Sequence, residues 1–337
     1  MAKSPYSPIL AIALLLALAA GSMWIGYDYR RDISRARNRV ATGSRIISTP
    51  CGPIEYAEVG TGPVILGVHG AGGGFDQGLT FGAHFAKKGY RVITMSRFGY
   101  LRTPAPPHPS IALQADAHAC LLDALGVRSA AVISVSAGAP SALEFALRYP
   151  ARCTALVLLM PGWWYPGSTS NATTRLGPAE AYLVNRFLGS DFLFWALGKF
   201  MPDMADRTVL GTPPAVIAAA SPGEQARVAA ILQDVLPVSQ RQVGLALEGQ
   251  LTVEGLSKPL ESITAPTLTI SAEDDLYRTY ANAVYLARHI PHCRFIGYHT
   301  GGHMWVGHND EVISAATAFL HDQGSLTPSY AEQRSGM

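Results

Sequence analysis

The sequence predicts an α/β fold in which helices cover both faces of a mostly parallel sheet. Short apolar runs, typical of buried strands, alternate with segments that carry apolar residues at helical spacing. Glycine and proline clusters separate these segments. Strands separated by helices pack as parallel neighbours in one sheet. The predicted strands lie at 54–59, 64–68, 90–95, 130–135, 155–160, 266–271 and 294–298, and the predicted core helices lie at 81–88, 111–125, 137–149, 277–290 and 310–321.

Length and composition allow one large globular domain. The chain has 337 residues, of which 48% are hydrophobic and 15% are charged, so it can bury a sizeable core. The formal net charge is +2 and most charges are interspersed, so no nucleic-acid partner is expected. The cysteines form no Cys-x-x-Cys pair and predict no metal site; the sequence favours buried free thiols and a reducing compartment. They are Cys51, Cys120, Cys153 and Cys293.

An apolar segment precedes the globular part. Residues 9–27 carry no charge, are rich in Leu, Ala and Ile, and are long enough to cross a bilayer. Arginines crowd the far flank, whereas the near flank has only Lys3, so the positive-inside rule predicts a single-pass membrane anchor with a cytoplasmic main domain. The alternative is a secretory signal, cleaved after the small residues at 17–19, and an exported domain.

The predicted organisation has a helical insertion between two parts of the core. After Met160 the strands give way to helical patterns and aromatic residues, including a capping box at Ser221 with proline at the first helical position. The predicted segments are a membrane anchor or signal peptide (1–29), a basic linker (30–45), a first core part (46–162), a helical lid (163–240), a second core part (241–323) and a polar tail (324–337).

Ser136 is the candidate nucleophile, at the turn between the strand 130–135 and the helix that follows. A sharp strand-to-helix turn needs small residues two positions before and after the serine, here Ser134 and Gly138. Glycine is usual at both positions, so the local pattern also fits an ordinary tight turn. Ser134 is a poor nucleophile candidate because it lies inside the strand.

Three further loops are expected at the same edge of the sheet, because they also follow strands. The glycine-rich loop 69–74 lacks the spacing of a nucleotide-binding loop, and a backbone N–H near Ala71, with that of Ala137, is the candidate oxyanion hole. The loop 272–275 offers carboxylates and the loop 301–303 offers an imidazole. Serine, acid and histidine therefore follow one another along the chain.

Taken together, these motifs resemble the α/β-hydrolase family over about residues 50–323. The resemblance implies an eight-stranded, mostly parallel sheet with a lid inserted after the sixth strand. It implies that Ser136 is the nucleophile, His303 the base and Asp275 the acid that orients it, with Asp274 as the alternative acid. His69 and Arg97 are expected to shape loops, and His308 to be solvated or at the edge of the substrate.

The activity that the resemblance implies is hydrolysis of carboxylic esters through an acyl-enzyme, with no cofactor and no metal. The aromatic lid favours an apolar substrate group, and Gly72, Trp163 and Trp164 are the candidate substrate-binding residues. A serine at the elbow argues against dehalogenases and most epoxide hydrolases of this fold, which use aspartate. The same motifs also fit C–C bond hydrolases, lactonases, amidases, peptidases and a non-catalytic binding protein. The oligomeric state is open.

Overall fold

The computed structural model describes residues 8–163, 165, 184 and 186–323. Eight strands form one sheet: β1 (Arg45–Thr49), β2 (Gly52–Val59), β3 (Val64–Val68), β4 (Arg91–Met95), β5 (Ala130–Val135), β6 (Cys153–Leu159), β7 (Thr267–Ala272) and β8 (Cys293–Tyr298). Their order is β1-β2-β4-β3-β5-β6-β7-β8. β2 runs antiparallel to β1 and β4, and the remaining pairs are parallel. The predicted fold is confirmed.

Helices cover both faces of this sheet, as expected for parallel strands that are buried on both sides. They are α2 (Phe75–Ala86), α3 (Ile111–Ala124), α4 (Ala139–Arg148), α10 (Thr279–His289) and α11 (Asn309–Asp322). Side chains of α3, α4 and α10 build the hydrophobic core on one face, and those of α2 and α11 build the core on the other. The strand β1 was not predicted, and α2 begins at Phe75, earlier than the predicted residue 81.

Between β6 and β7, the part of the chain that the structure describes is mainly helical. Its helices are α5 (Asp191–Phe200), α6 (Pro202–Thr208), α7 (Pro214–Ala219), α8 (Pro222–Asp234) and α9 (Gln242–Leu251). The predicted start of α8 is confirmed: Ser221 caps it by accepting a hydrogen bond from the Glu224 backbone N–H at 3.3 Å. Helical structure continues past residue 240, where the sequence predicted the return to the core.

The amino-terminal helix α1 runs without a break over Pro8–Ala41. The predicted linker at 30–45 is therefore wrong: residues 30–41 are helical because their apolar side packs on the lid, where Ile33 and Ala36 join the same hydrophobic cluster as Phe194 and Trp195. An 18-residue window of this helix has a mean hydropathy of 2.0 and is exposed, so length and composition suit a membrane span. A signal sequence has the same properties.

Cys51 and Cys120 form a disulfide with their Cα atoms 6.2 Å apart. The prediction of free thiols is wrong for this pair, because 69 residues of sequence separate two cysteines that the fold brings together. Cys153 and Cys293 are free. Disulfides persist mainly in oxidising compartments, so the expected reducing compartment loses its support.

Candidate active site

Ser136 lies on a sharp turn between β5 and α4, with its backbone at φ 51°. A non-glycine residue in this left-handed region is strained, which is typical of functional sites. The neighbouring glycines make the turn possible. A Cβ on Gly138 would lie 2.8 Å from the carbonyl oxygens of Val68 and His69, and one on Gly70 would lie 3.1 Å from the Ser136 Cβ. The turn therefore holds the serine against the loop that follows β3.

The structure brings His303 and Asp275 together. The Nδ1 atom of the buried His303 ring lies 2.7 Å from Asp275 Oδ2. The same carboxylate accepts a hydrogen bond from the Tyr277 backbone N–H at 2.8 Å and another from the Thr279 hydroxyl. The carboxylate thus fixes the ring with Nδ1 as the donor and leaves Nε2 free to accept a proton.

Asp274 makes different contacts from Asp275. Its carboxylate accepts hydrogen bonds from the backbone N–H groups of Gly301, at 3.2 Å, and Gly302, at 2.7 Å. It therefore ties the loop after β7 to the loop that carries His303. Of the two aspartates that the sequence left open, Asp275 is the one that contacts the imidazole.

Gly211 in the lid connects the same two loops, and sequence reasoning missed it. Its carbonyl accepts hydrogen bonds from the backbone N–H groups of Leu276, at 2.9 Å, and His303, at 3.3 Å. A Cβ on Gly211 would lie 2.5 Å from the Tyr277 ring, which packs edge-on against His303 with a centroid distance of 4.9 Å. Gly211 and Tyr277 follow no motif that would reveal them in the sequence.

Ser136 and His303 line one cavity of about 530 Å³. Among the residues that the structure describes, no hydrogen bond joins Ser136 Oγ to His303 Nε2. Catalytic hydrogen bonds are often long without substrate, so this geometry is compatible with transfer of a proton between them. The walls are mainly apolar and come largely from the lid: they include Phe187, Phe194, Leu197, Ile231 and Val235.

The predicted oxyanion and substrate-binding residues are only partly gathered at this cavity. Ala71 and Gly72 line it. Ala137 follows the serine directly, and its backbone nitrogen lies 3.1 Å from where a Cβ of Gly162 would be.

Trp163 does not line the cavity. It is buried in the core against Tyr165 and Tyr285, with centroid distances of 6.0 and 6.3 Å, because the chain turns into that core directly after β6.

The remaining predicted residues lie around the cavity or away from it. Trp164 lies outside the described residues. His308 does not line the cavity: its ring stacks on Tyr298 at 4.1 Å, and its Nδ1 lies 3.0 Å from the Glu311 carboxylate. Its contacts are those of a partly exposed surface residue, as the sequence analysis expected.

His69 shapes the glycine-rich loop, as the sequence analysis expected. Its Nδ1 lies 2.7 Å from the Gly70 carbonyl, and its Nε2 accepts the Arg97 backbone N–H at 2.9 Å. Burial, together with the charge of the Arg97 guanidinium, holds the pKa of His69 well below its ordinary value. The ring is therefore neutral, donates through Nδ1 and serves as a rigid bridge between two loops.

Arg97 is buried and forms an ion pair with Glu248 on α9. The Tyr100 hydroxyl donates to the same carboxylate at 2.5 Å, and the Gly72 backbone N–H points to that hydroxyl at 3.4 Å. This network contacts the glycine-rich loop at Gly72, which agrees with the expected scaffolding role of Arg97. Glu248 was not predicted, because a single acidic residue in a helical pattern usually faces solvent.

Comparison with known proteins identifies the family of this fold. A family model described as alpha/beta hydrolase fold matches residues 63–307. The chain belongs to the alpha/beta hydrolase fold family. It is 38% identical over 107 residues to an uncharacterised hydrolase, YcgS, of Bacillus subtilis, and 32% identical over 114 residues to a 2-hydroxy-6-oxo-6-phenylhexa-2,4-dienoate hydrolase of Comamonas testosteroni. Each match covers 32% of this chain, and they cover 37% and 40% of those proteins.

A solved structure extends the similarity to most of the chain. An alpha/beta hydrolase fold protein from Nakamurella multipartita superposes with a TM-score of 0.62 and 27% sequence identity, covering 83% of this chain and 99% of its own. Because the curated relatives match over about two fifths of their length or less, their activities do not transfer to this chain as a whole.

Proposed function

We propose that this α/β-hydrolase is a serine hydrolase that cleaves carboxylic esters with an apolar group through an acyl-enzyme. The observation that carries the proposal is the His303–Asp275 pair, 2.7 Å between Nδ1 and Oδ2, in one cavity with a serine on a strained turn. Such a constellation is recognised by its geometry and by the part that each group plays. The order of serine, acid and histidine along the chain, which is that of the α/β-hydrolases, also supports the proposal.

In the proposed mechanism, Ser136 Oγ attacks the ester carbonyl while His303 Nε2 takes its proton. His303 then returns this proton to the leaving alcohol, and Asp275 stabilises the charged imidazole in between. The backbone N–H groups of Ala71 and Ala137 are the proposed donors to the oxyanion, and one such donor contributes on the order of a hundredfold or more in rate. Water then attacks the acyl-enzyme with His303 as the base.

The cavity wall supports a substrate with an apolar acyl or alcohol part. The lid supplies most of the large apolar side chains that line the cavity, and a volume of about 530 Å³ exceeds that of an acetyl group. A second candidate is hydrolysis of a C–C bond: the relative from Comamonas testosteroni is named as a hydrolase of 2-hydroxy-6-oxo-6-phenylhexa-2,4-dienoate, a compound that has no ester, amide or lactone bond. Parallel assays on esters of graded chain length, lactones, amides and a 2-hydroxy-6-oxo-dienoate show which bond is cleaved.

The apolar part of α1 is the proposed membrane anchor, with a cleaved signal peptide as the alternative. Residues 25–36 of α1 pack against the lid, and because this packing begins beyond residue 19 it is compatible with both alternatives. The Cys51–Cys120 disulfide supports a location on the oxidising side of the membrane rather than the cytoplasmic one. Retention in the membrane fraction after a carbonate wash tests the anchor.

A fluorophosphonate probe tests the serine-hydrolase proposal. We expect the wild type to be labelled and Ser136→Ala to be unlabelled. Ser134→Ala is the matched control: Ser134 is two residues away, fully buried in β5, and should leave labelling unchanged. A folded wild type that resists the probe and hydrolyses none of the substrates would overturn the proposal in favour of a binding protein.

A further inference from the structure

Arg39, near the carboxyl end of α1, contacts two parts of the globular fold at once. Its Nε donates to Asp76 Oδ2 at 3.1 Å, on the first turn of α2. Its Nη2 donates to the backbone carbonyls of Asp234, at 3.0 Å, and Leu236, at 2.5 Å. An ion pair of 3.4 Å joins Nη1 to the Asp234 carboxylate. Arg39 therefore bridges α2 and the carboxyl end of the lid helix α8.

Arg241 meets the same groups from inside the protein. This fully buried side chain donates through Nη2 to Asp76 Oδ2 at 2.7 Å and to the Asp234 carbonyl at 2.9 Å. Its Nη1 donates to the Gly73 carbonyl at 2.5 Å. Gly73 belongs to the glycine-rich loop 69–74, so a chain of direct contacts leads from Arg39 through Asp76 and Arg241 to that loop.

The charges of this cluster are complementary. Burial opposes ionisation of Asp76, but Arg241 and Arg39 outweigh it and hold the pKa of the carboxyl below its ordinary value. Asp76 is thus a carboxylate at neutral pH. The carbonyls at the end of α8 have no partner within the helix and attract cations, which the two guanidinium groups supply.

The lid and the glycine-rich loop also touch directly at this point. A Cβ on Gly72 would lie 3.2 Å from Cγ1 of Val235, the residue that follows α8. Val235 and Ala71 both line the cavity that holds Ser136. A shift of the end of α8 would therefore displace the loop that carries the proposed oxyanion donor.

We propose that Arg39 is a positioning residue for catalysis: it clamps the first turn of α2, directly after the glycine-rich loop, to the end of α8, so that the backbone N–H near Ala71 is held where the oxyanion forms. The helix α1 thereby becomes a structural part of the active site as well as the proposed anchor. The catalytic consequence rests on the proposed serine-hydrolase function, whereas the clamp itself does not.

The test uses the full chain in detergent with Arg39→Ala, Arg39→Lys and Arg35→Ala. Arg35 is the matched control because it is an exposed arginine one turn earlier on α1 and forms no ion pair among the described residues. Sites are counted with the fluorophosphonate probe, and kcat and KM are measured on p-nitrophenyl acetate. Normalising to labelled sites removes the effect of any misfolded fraction.

We expect Arg39→Ala to lower kcat per labelled site by about tenfold with KM within about twofold, because a small displacement of the oxyanion donor weakens only the transition state. Arg39→Lys should recover part of this loss, since an ammonium keeps the charge but not the fork of donors. Arg35→Ala should match the wild type. Unchanged kcat per site in Arg39→Ala, with only a lower melting temperature, overturns the proposal.

Hydrogen–deuterium exchange separates this proposal from the proposed function. The clamp predicts faster exchange of the amides at 70–77 in Arg39→Ala and wild-type exchange in Arg35→Ala. A wild type without labelling or hydrolysis refutes the serine-hydrolase function alone, and the exchange result then decides on the clamp. Equal exchange in all variants refutes the clamp whatever the activity.

Discussion

At the scale of single residues, the two neighbouring aspartates should separate cleanly in kinetics. In Asp275→Asn the amide group places a donor opposite His303 Nδ1 and favours the wrong tautomer, so we expect kcat to fall on the order of 10³- to 10⁴-fold. Asp274→Asn keeps an oxygen that can accept from Gly302, and should lower kcat by less than about tenfold. Steady-state kinetics on one short ester measures both.

The control for this pair is protein stability. Asp274 accepts hydrogen bonds from two backbone N–H groups, at 3.2 and 2.7 Å, so Asp274→Asn should lower the melting temperature while it largely spares kcat. Equal losses of kcat in the two variants would contradict the assignment of Asp275 as the acid.

Ser134 should be replaceable with a gain in stability. Its hydroxyl is fully buried in β5 and has no hydrogen-bond partner among the described residues. Burying an unpartnered hydroxyl is unfavourable, so Ser134→Ala should raise the free energy of unfolding by about 1 kcal/mol. Ser134→Gly, which restores the usual elbow pattern, should be less stable than Ser134→Ala by about 1 kcal/mol because glycine weakens a strand. Urea unfolding measures the order, and a less stable alanine variant would contradict it.

The sequence alone places the three residues of the proposed triad near one another, but it does not reveal the residues that support them. Ser136, Asp275 and His303 each follow a strand, and the ends of parallel strands meet at one edge, so their proximity follows from the order of elements. Arg241 and Glu248 have no such rule. They are charged residues in the segment between β6 and β7 whose buried partners, Asp76 and Arg97, lie more than a hundred residues away, and only the packed fold reveals the pairs.

At the scale of elements, the lid should set the preference for chain length. Leu197 on α5 lines the cavity, so Leu197→Trp should fill part of it and lower kcat/KM on octanoate esters by about tenfold or more while sparing acetate esters. The matched control is Leu193→Trp, the same change one turn earlier on α5 at an exposed position outside the cavity wall. A parallel loss on acetate and octanoate in Leu197→Trp would contradict a role of the lid in chain-length preference.

The predicted start of α2 is wrong because glycine there allows close packing and does not form a turn. The sequence predicted this helix only from residue 81, which left Gly78 outside it. In the structure Gly78 and Gly82 lie within the helix, since a Cβ on Gly78 would lie 1.7 Å from Thr94 Oγ1 and one on Gly82 would lie 2.8 Å from Val92 Cγ1. Glycine lets α2 approach β4 closely, and intrinsic propensity cannot distinguish this from a loop.

The helix α1 shows a second limit of local patterns. Its arginines suggested a linker, because a run of like charges is usually solvated. Arg37 and Arg39 instead pair with Asp191 and Asp76 in distant parts of the fold, and Lys199 of α5 pairs with Asp28 of α1 at 2.8 Å. The helices α1 and α5 carry complementary charges, but only the folded structure, in which the lid packs against α1, shows which charges pair.

At the scale of the whole molecule, the disulfide gives a test of both stability and location. It closes a separation of 69 residues between the turn before β2 and the helix α3, so the double variant Cys51→Ser/Cys120→Ser should lose about 4 kcal/mol of unfolding free energy. A reductant should destabilise the wild type to the same level and leave that variant unchanged. Cys153→Ala/Cys293→Ala, which removes the free cysteines, controls for loss of thiol side chains.

The same pair reports on the compartment of the catalytic domain. If the domain lies on the oxidising side, trapping thiols in intact cells with a membrane-permeant maleimide before lysis should modify Cys51 and Cys120 only after reduction. Cys293, half-buried and free, provides the internal standard after denaturation. If all four cysteines are modified rapidly in denatured, unreduced protein, no disulfide has formed, because a disulfide has no thiolate to react. That result would place the domain in a reducing compartment, as the positive-inside count predicts.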